Sequence, residues 1–320
     1  MSKQSPVLSC RELIRRRAVM YQQIRAFFAE RDVLEVETPV FSASGNTDPA
    51  ISSIIADFSA LNQSSDLRYA HTSPEFAMKR LLANDAGAIY QMCKVFRQGE
   101  CGRLHNPEFS MLEWYRPAMK YHQLMDEITA LLKRLGLCDK AQRVSYAELF
   151  QRELSLDVFN ATIGDLKACV ARNGLDVVGF GDDYDAWASM LLANLIEPKL
   201  GYERPVFVYD YPASQAALAN IRERDNVAER FELYINGVEI ANGYQELTDA
   251  AVYRERFEQD NKKRKVLGLP EIVIDNRLIN ALSSGFPDSS GVALGLDRLL
   301  MMMTGARKIE DVLSFGFHQV

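Results

Sequence analysis

The feature of this sequence that most constrains its fold is the dipeptide Asn236-Gly237, within the stretch ERFELYINGVEIANGYQE at residues 229–246. Apolar and polar residues alternate on both sides of the dipeptide, as they do along strands that bury one face. An Asn-Gly pair in this setting favours a two-residue turn of type I′, because both residues tolerate the left-handed backbone conformation. The sequence therefore predicts an antiparallel β-hairpin here.

Pairing about this turn predicts which side chains lie across from one another. The expected cross-strand pairs are Ile235 with Val238, Tyr234 with Glu239, and Glu232 with Ala241. Glu232, Tyr234 and Glu239 then share one face, and the two carboxylates lie diagonally within reach of one cation. Two interpretations stay open at this point: a cation site, or an acidic pair that is simply exposed to solvent.

Composition narrows the class of protein. The chain has 320 residues, of which 48% are hydrophobic and 25% are charged, as in an ordinary globular protein. The net charge of -6 argues against a protein held on nucleic acid by charge alone. The N-terminal stretch lacks the apolar core of a secretory signal, and no run approaches the roughly 18 apolar residues of a membrane helix.

Several common functional patterns are absent from the sequence. No GxxxxGK[ST], GxGxxG or HExxH occurs, so P-loop, Rossmann and zinc-protease sites are unsupported. The five cysteines are scattered without a CxxC pair, which indicates free thiols in a reducing cytoplasm and favours neither a disulfide framework nor a zinc site. They are Cys10, Cys93, Cys101, Cys138 and Cys169.

Periodicity predicts several helices and one further strand. Ser9 followed by Glu12 is a capping box, and apolar residues at helical spacing follow it. An alternating stretch comes next and ends at Pro39, which cannot donate a ladder hydrogen bond. The other predicted helical regions are residues 72–84 and 121–135, with short helices and turns over residues 144–200.

Two further segments carry most of the chemically distinctive residues. The first, CKVFRQGECGRLHNPEFSMLEWY, places Arg97 at a strand end and His105 and Phe109 after it. These residues suit two phosphate contacts and a stacking surface, although a hairpin with a polar loop is the simpler interpretation of the spacing. The second, DSSGVALGLDRLLMM, is a glycine-rich strand that lets a ligand approach the backbone, followed by Arg298 at the start of a helix.

Together these motifs resemble the three motifs of the catalytic core of class II aminoacyl-tRNA synthetases, in the same order and over essentially the whole chain. The segments HNPEFSMLEWY, EIANGYQEL and GLDR are similar to those of the lysine-type enzymes. The resemblance implies an α+β fold with a mostly antiparallel sheet flanked by helices. It also implies a single catalytic domain over residues 1–320 and a homodimer formed through the first motif.

The position of the first motif narrows the resemblance. It begins about ten residues into the chain, which leaves no room for the anticodon-binding domain of lysyl-tRNA synthetases. With FRxxExGRxHNPEF, YPASQA and ELTDA, the chain resembles the stand-alone family of elongation factor P–(R)-β-lysine ligases. That resemblance implies a cytoplasmic enzyme that uses ATP and Mg2+ to activate (R)-β-lysine and transfers it to a lysine side chain of elongation factor P. It implies no role for tRNA or for a membrane.

Three alternatives remain open on the sequence. The chain could aminoacylate tRNA without an anticodon domain, could be a catalytically inactive regulatory paralogue, or could be a free amino-acid ligase such as an ammonia-dependent asparagine synthetase, which shares this fold. The one hint of inactivity is Gly99, which stands where the family has Glu; Glu100 beside it is a candidate replacement. HNPEF and Glu246 favour a cationic amino acid over aspartate.

The resemblance also implies roles at a nucleotide site. Arg97 and Arg298 are the implied catalytic residues: the first holds the α-phosphate and the substrate carboxylate, and the second holds the terminal phosphate, with adenine between it and Phe109. Glu232 and Glu239 are the implied metal ligands. The implied ATP-binding residues are Arg97, Gly99, Glu100, His105, Asn106, Phe109, Glu239, Ile240, Gly295 and Arg298.

For the amino acid, the resemblance implies a pocket for two ammonium groups. Glu246, helped by Tyr115, is expected to receive the distal ammonium, and Glu75 with Ser73 the proximal one. Ala293 stands where lysyl-tRNA synthetases usually have Gly, and its methyl group is expected to reshape the pocket toward a β-amino acid. The full implied set is Ser73, Glu75, Tyr115, Asn242, Tyr244, Glu246 and Ala293.

Overall fold

The structure is a computed structural model that describes residues 9–62, 66–177 and 179–320. Residues 1–8 of the N-terminal stretch in which no secretory signal was found therefore lie outside the described residues. The chain divides into two compact units, which are described separately. The first unit comprises Met1–Met119 with Leu247–Val320, and the second unit comprises Lys120–Glu246.

The first unit contains two sheets, six α-helices and two short 3-10 helices, Ile309–Val312 and Phe317–Gln319, among its described residues. Its larger sheet has the strand order β1-β5-β6-β12, in which β1 is parallel to β5 and the other neighbours are antiparallel. Its smaller sheet is antiparallel, with the order β2-β4-β3. The elements are α1 (Cys10–Ala29), β1 (Leu34–Glu35), β2 (Phe41–Ser42), β3 (Ile55–Asp57), α2 (Ser59–Asn62), β4 (Leu67–Ala70), α3 (Glu75–Leu82), β5 (Ile89–Phe96), β6 (Glu108–Pro117), α8 (Ala250–Val266), α9 (Asn276–Ser283), β12 (Ser289–Gly295) and α10 (Leu296–Thr304).

Helix α1 is anchored to the larger sheet by aromatic packing. The Ser9 hydroxyl accepts a hydrogen bond from the Glu12 amide, as the sequence predicts for the start of the helix. Phe28, near its end, is fully buried and stacks on Tyr90 of β5 with ring centroids 4.3 Å apart. It also meets the ring of Trp114 on β6 edge to face, at 5.4 Å. One face of the larger sheet is therefore covered by the first helix.

The second unit combines a mixed sheet with a group of short helices. The sheet order is β11-β10-β8-β7, with β9 also paired to β10; β7 is parallel to β8 and the other pairs are antiparallel. Helices α5 to α7 account for much of residues 144–200, where short helices and turns are predicted. The elements are α4 (Tyr121–Arg134), β7 (Gln142–Ser145), α5 (Tyr146–Leu154), α6 (Ile163–Arg172), α7 (Tyr184–Leu191), β8 (Val206–Pro212), β9 (Ile221–Arg222), β10 (Val227–Ile235) and β11 (Val238–Gln245).

The hairpin formed by β10 and β11 confirms the predicted turn but corrects part of the predicted register. Asn236 and Gly237 have φ values of 52° and 72°, as a type I′ turn requires. The first two expected cross-strand pairs are present, but Glu232 lies opposite Asn242 and not Ala241. The register shifts beside Leu233, because β11 contains one extra residue there, and such a bulge displaces all pairs beyond it.

Both units thus join mostly antiparallel sheet to helices, which confirms the predicted α+β class. No helix in the described ranges is both long and apolar enough to span a membrane.

Candidate active site

The first unit brings three of the residues predicted for the amino-acid pocket around a carboxylate that the sequence analysis did not single out. This carboxylate belongs to Glu113 on β6, whose side chain is only 1% exposed. The Ser73 hydroxyl donates to its Oε2 at 2.6 Å, and the Tyr115 hydroxyl donates to its Oε1 at 2.7 Å. The same Ser73 oxygen accepts from the Glu75 amide at 3.0 Å, which ties the start of α3 to the sheet.

A buried lysine balances part of the negative charge in this cluster. Lys79 lies one turn after Glu75 on α3 and forms an ion pair with its carboxylate. The Lys79 ammonium also donates to the Tyr253 hydroxyl of α8 at 2.8 Å, and it lies 5.9 Å from the centre of the Tyr115 ring. The charge of Lys79 also acts on Glu113, so this ammonium group lies near both carboxylates.

The protonation of Glu113 is set by its burial and by its charged neighbours. Burial is the larger cause and the charge of Glu75 the second, and together they raise the pKa of Glu113 to about 7. The hydrogen bonds from Ser73 and Tyr115 and the charge of Lys79 act in the opposite direction. A second cation near Glu113 would favour its ionised form, so the cluster is suited to bind an ammonium group.

The larger sheet places Ala293 directly across from this carboxylate. In the antiparallel pairing of β6 with β12, Glu113 lies opposite Ala293 and Tyr115 lies opposite Gly291. Side chains of directly opposed residues point to the same face, with Cβ atoms about 5 Å apart. The Ala293 methyl group therefore lies beside Glu113.

Arg97 lies at the end of β5, where the connection to β6 begins. Its Nε donates to the Thr72 carbonyl at 3.4 Å, and its Nη1 lies 3.5 Å from Glu100 Oε1. Its guanidinium is also 5.2 Å from the centre of the Phe109 ring. The structure thus brings three of the predicted ATP-binding residues into one group.

Gly99 and Glu100 show how this loop differs from the family pattern. Gly99 has a φ of 83°, a left-handed conformation in which a side chain is strained. Glu100 follows it and approaches Arg97. The loop therefore presents a carboxylate one residue later than the family pattern does.

The tip of the same loop forms a small closed turn that contacts Arg298. Gly102 and His105 exchange backbone hydrogen bonds of 3.0 and 3.3 Å. Arg298 of α10 donates from Nη2 to His105 Nε2 at 2.8 Å and from Nε to the Leu104 carbonyl at 3.3 Å. Burial and then the positive charge of Arg298 lower the pKa of His105, so its ring is a neutral acceptor near pH 7.

The remaining predicted residues of the first unit flank this turn. Asn106 is buried, and its Nδ2 donates to the Glu108 carbonyl at 2.6 Å. Gly295 precedes α10 with a φ of -74°, which any residue can adopt, and a Cβ added to it would come no closer than 3.8 Å to Arg298. Among the described residues the fold thus imposes no requirement for glycine at this position.

In the second unit, Glu232 is held by three donors. Arg230 donates to its Oε1 at 2.5 Å, while the hydroxyls of Tyr211 and Tyr234 donate to its Oε2 at 2.6 and 2.5 Å. Burial, followed by the charge of Glu232, raises the pKa of both tyrosines well above the ordinary value, so both remain donors. These three donors fix the position of the buried Glu232 carboxylate.

The other predicted residues of the second unit lie along β11 and at its end. Asn242 lies opposite Glu232 and accepts from Arg230 Nε at 3.2 Å, and Glu239 lies opposite Tyr234. The side chains of Ile240 and Glu246 are both buried. Tyr244 lies opposite Arg230 on the same hairpin. Glu246, just after β11, also pairs through its backbone with Ala219.

The two glutamates of the hairpin have the donor chemistry of a magnesium site. Mg2+ prefers carboxylate oxygens and is commonly held by only one or two of them together with phosphate oxygens. Glu232 Oε1 accepts one hydrogen bond and retains a second lone pair, and Glu239 lies diagonally from it on the same face. The described residues contain no cluster of three or more acidic, His or Cys side chains for a metal. A pair completed by a phosphate ligand is therefore the arrangement that these residues fit.

Comparison with known proteins decides the family. Residues 8–319 match the family described as tRNA synthetases class II (D, K and N).

The chain belongs to the class II tRNA synthetase family.

This membership confirms the resemblance drawn from the three motifs, and with it the predicted class II fold. Among curated proteins, an elongation factor P–(R)-β-lysine ligase of Salmonella arizonae is 47% identical over 315 residues, which cover 97% of this chain and 96% of that protein. The enzymes of that name from Enterobacter sp. (strain 638) and Erwinia tasmaniensis are 47% and 46% identical over 313 residues. In both cases the match covers 97% of this chain and 96% of the relative.

Sequence reasoning missed Glu113 and Lys79 because both lie in segments that look like ordinary secondary structure. Glu113 occupies an alternate position in the strand FSMLEWY, where a charged residue among buried neighbours is the available signal. Lys79 lies in a helix rich in apolar residues, and its burial against Tyr253 depends on residues far away in sequence. Either residue becomes conspicuous only when the tertiary neighbours are known.

Proposed function

We propose that this protein activates (R)-β-lysine with ATP and transfers it to a lysine side chain of elongation factor P. The relatives at 46–47% identity over 97% of the chain bear the name of that activity, and this observation carries the proposal. The half-buried carboxylate of Glu75 and the buried carboxylate of Glu113 support it, because a nearby ammonium group of a cationic amino acid would favour the ionised form of Glu113.

The proposed pocket distinguishes a diamino acid from neutral amino acids by charge. We assign Glu113, with Glu75, Ser73 and Tyr115, to one ammonium group of the substrate. Glu246, Asn242 and Tyr244 are assigned to the remainder of the amino acid. An analogue that lacks one ammonium group would leave a buried carboxylate unpaired, which costs far more than an unmade surface contact.

The first chemical step is formation of an adenylate. A carboxylate oxygen of (R)-β-lysine attacks the α-phosphorus of ATP, the bond from that phosphorus to the bridging oxygen breaks, and pyrophosphate leaves. The attacking carboxylate is already ionised at neutral pH, so no general base is needed. Arg97 would hold the α-phosphate and the carboxylate in line, and Arg298 would hold the terminal phosphate.

Further residues of the first unit would position the nucleotide. Phe109 offers a flat surface for adenine, and the turn that contains His105 and Asn106 would contact the triphosphate and the base. Glu100 would replace the carboxylate that the family pattern places at Gly99. Gly295 would let the backbone approach the nucleotide.

Magnesium would be held by Glu232 and Glu239 together with phosphate oxygens. When bound, it would neutralise part of the phosphate charge that develops as pyrophosphate leaves. Arg230, Tyr211 and Tyr234 would hold the Glu232 carboxylate in place for the cation.

The second step forms an isopeptide bond. The ε-amine of a lysine on elongation factor P attacks the acyl carbon of the adenylate, the mixed anhydride breaks, and AMP leaves. The amine must lose its proton, and the phosphate of the departing AMP is a suitable acceptor. Attack by a tRNA hydroxyl is the second candidate acceptor reaction, because the family name includes tRNA synthetases.

We also propose three properties of the whole protein. Residues 1–320 would act as one catalytic domain, two copies would form a dimer through the first motif, and the enzyme would act in the cytoplasm. Five free cysteines, of which Cys10 and Cys101 are exposed, are consistent with a reducing compartment.

ATP–pyrophosphate exchange tests the activation step directly. Exchange is expected with (R)-β-lysine, more weakly with α-lysine, and not with aspartate. An absence of exchange with all three amino acids would favour an inactive paralogue, and exchange with aspartate would favour a free amino-acid ligase.

The Ala293 position tests the choice between the two lysine isomers. Because its methyl group lies beside Glu113, Ala293→Gly is expected to enlarge the pocket and raise the kcat/KM for α-lysine relative to (R)-β-lysine. An unchanged ratio would remove Ala293 from the determinants of selectivity.

A further inference from the structure

We propose that the C-terminal turn Phe317–Gln319 positions the nucleotide loop of this enzyme by holding the side chain of Asn106. The backbone N–H of Phe317 donates to Asn106 Oδ1 at 3.2 Å. The other end of the same amide, Nδ2, donates to the Glu108 carbonyl at 2.6 Å. The amide of Asn106 is thereby fixed at both ends, once by the C-terminal turn and once by the start of β6.

Additional contacts join the same two segments. The Ile309 N–H donates to the Arg103 carbonyl at 2.9 Å, and Arg103 Nη1 donates to the Arg307 carbonyl at 3.3 Å. Cys101 Sγ lies 3.5 Å from His318 Nε2. The loop from residue 101 to residue 106 is therefore bonded to the C-terminal segment at its start, its middle and its end.

Hydrogen bonds, and not hydrophobic packing, hold the loop of residues 101–106 to the C-terminal turn. The rings of Phe315 and Phe317 are 70% and 50% exposed, so they contribute little burial to the contact. Asn106, in contrast, is only 7% exposed, and a buried amide oxygen that loses its donor pays a substantial desolvation cost. The backbone N–H of residue 317 is thus the group through which the C-terminal turn acts.

The other side of the loop is held by the residue assigned to the terminal phosphate. Arg298 bonds His105 and the Leu104 carbonyl, the residues just before Asn106. Between Arg298 and the C-terminal turn, the loop is restrained from both sides before any nucleotide binds. Restraint of this kind lowers the entropy lost on binding, so the proposal predicts an effect on nucleotide affinity. It rests on the proposed nucleotide role of this loop.

Two substitutions of Phe317 distinguish the contribution of its backbone N–H from that of its ring. Phe317→Pro removes the N–H, and the site tolerates proline because Phe317 begins a short helical turn and Gly316 before it is extended, with ψ of 163°. Phe317→Ala keeps the N–H and removes the ring, so it is the matched control.

The readout is the equilibrium dissociation constant for a non-hydrolysable ATP analogue, together with KM for ATP and kcat in pyrophosphate exchange. Phe317→Pro is expected to weaken nucleotide binding about tenfold and to raise KM for ATP equally. The reason is that Asn106 Oδ1 loses its donor, so the loop is no longer held by the C-terminal turn. Its kcat should stay within about twofold, since the lost restraint acts on ground state and transition state alike. Phe317→Ala should match the wild type in nucleotide binding and in melting temperature. Phe317→Pro should still unfold in one cooperative transition, with a melting temperature lowered by only a few degrees.

A double-mutant cycle then tests whether the effect passes through Asn106. Asn106→Ala should itself weaken nucleotide binding, and adding Phe317→Pro to it should weaken binding no further. Additive effects, or equal nucleotide affinity of Phe317→Pro and wild type, would overturn the inference. A wild-type protein that binds the analogue but shows no exchange would instead contradict the proposed function and leave the positioning test valid. A wild type that binds no ATP analogue would overturn both.

Discussion

Glu113 is a buried carboxylate for which a proton and a substrate ammonium group are proposed to compete. Its raised pKa has a clear cause, since burial and Glu75 disfavour its charge while Ser73, Tyr115 and Lys79 only partly offset them. A bound ammonium group would favour the ionised form of Glu113. The residue therefore links the acidity of the solution to the affinity for the amino acid.

Replacement of the Glu113 carboxylate by an amide should weaken binding of the amino acid and leave binding of the nucleotide unchanged. Glu113→Gln is expected to lower kcat/KM for (R)-β-lysine by about 10- to 100-fold, as expected when a charged hydrogen bond is lost. ATP-analogue affinity should change by less than about twofold. Glu108→Gln, an exposed position on the same strand, is the control and should behave as wild type. Equal effects of the two substitutions would exclude Glu113 from the pocket.

The pH dependence follows from the direction of the same shift. Because the pKa of Glu113 is raised to about 7, the carboxyl is largely protonated below that pH and must release its proton to receive an ammonium group. KM for (R)-β-lysine should therefore rise by up to tenfold per unit as the pH falls below about 7. Glu113→Gln should abolish this slope. A flat profile in the wild type would contradict the assignment.

At the scale of elements, the hairpin of β10 and β11 shows how a dipeptide can determine a turn without help from distant residues. Its turn needs two left-handed residues, and Asn236-Gly237 supplies them whatever surrounds the strands. Gly237 also lies close to a neighbouring segment, because a Cβ added there would come within 3.3 Å of the Pro198 carbonyl oxygen. Both constraints disfavour a side chain at this position.

Gly237→Ala should consequently lower the free energy of unfolding by about 1 to 2 kcal/mol, from backbone strain with added crowding. Gly174→Ala is the matched control in the same unit: its φ is 69°, but nothing lies within 4 Å of the added Cβ. Urea denaturation should show the larger loss for Gly237→Ala. Equal losses would show that crowding against Pro198 contributes nothing.

The same hairpin marks the limit of what the sequence predicts. The turn and the diagonal pair Glu232 and Glu239 follow from alternation. The bulge beside Leu233 does not, since alternation alone gives no signal for the extra residue on β11. The role of Glu113 was likewise hidden, because its partner Ser73 lies 40 residues earlier. Motifs with local signatures, such as the loop from Arg97 to Phe109, could be located from sequence; the contacts that join them to distant segments could not.

At the scale of the whole molecule, the first motif exposes apolar side chains that a second copy is proposed to cover. Ile14 and Val19 on α1 are 53% and 45% exposed, and Leu34 on β1 is 58% exposed. Helix α1 buries its other face against the sheet through Phe28. An outward apolar set on a well-anchored helix is suited to a twofold interface.

Sedimentation velocity should therefore report a dimer, and Val19→Glu should shift it toward monomer by placing a charge in the apolar contact. Leu61→Glu is the control: Leu61 is 76% exposed but lies on α2, outside the first motif, so the dimer should persist. A wild-type protein that sediments as a monomer at micromolar concentration would contradict the proposed dimer.

The most direct test of the central claim follows the activated amino acid to its acceptor. Purified protein, ATP, Mg2+ and labelled (R)-β-lysine are incubated in parallel with purified elongation factor P, with elongation factor P whose candidate acceptor lysines are replaced by arginine, and with total tRNA. The account predicts a stable label on the unmodified factor alone, resistant to the mild alkali that cleaves aminoacyl esters. Label that appears on tRNA and not on elongation factor P would contradict it.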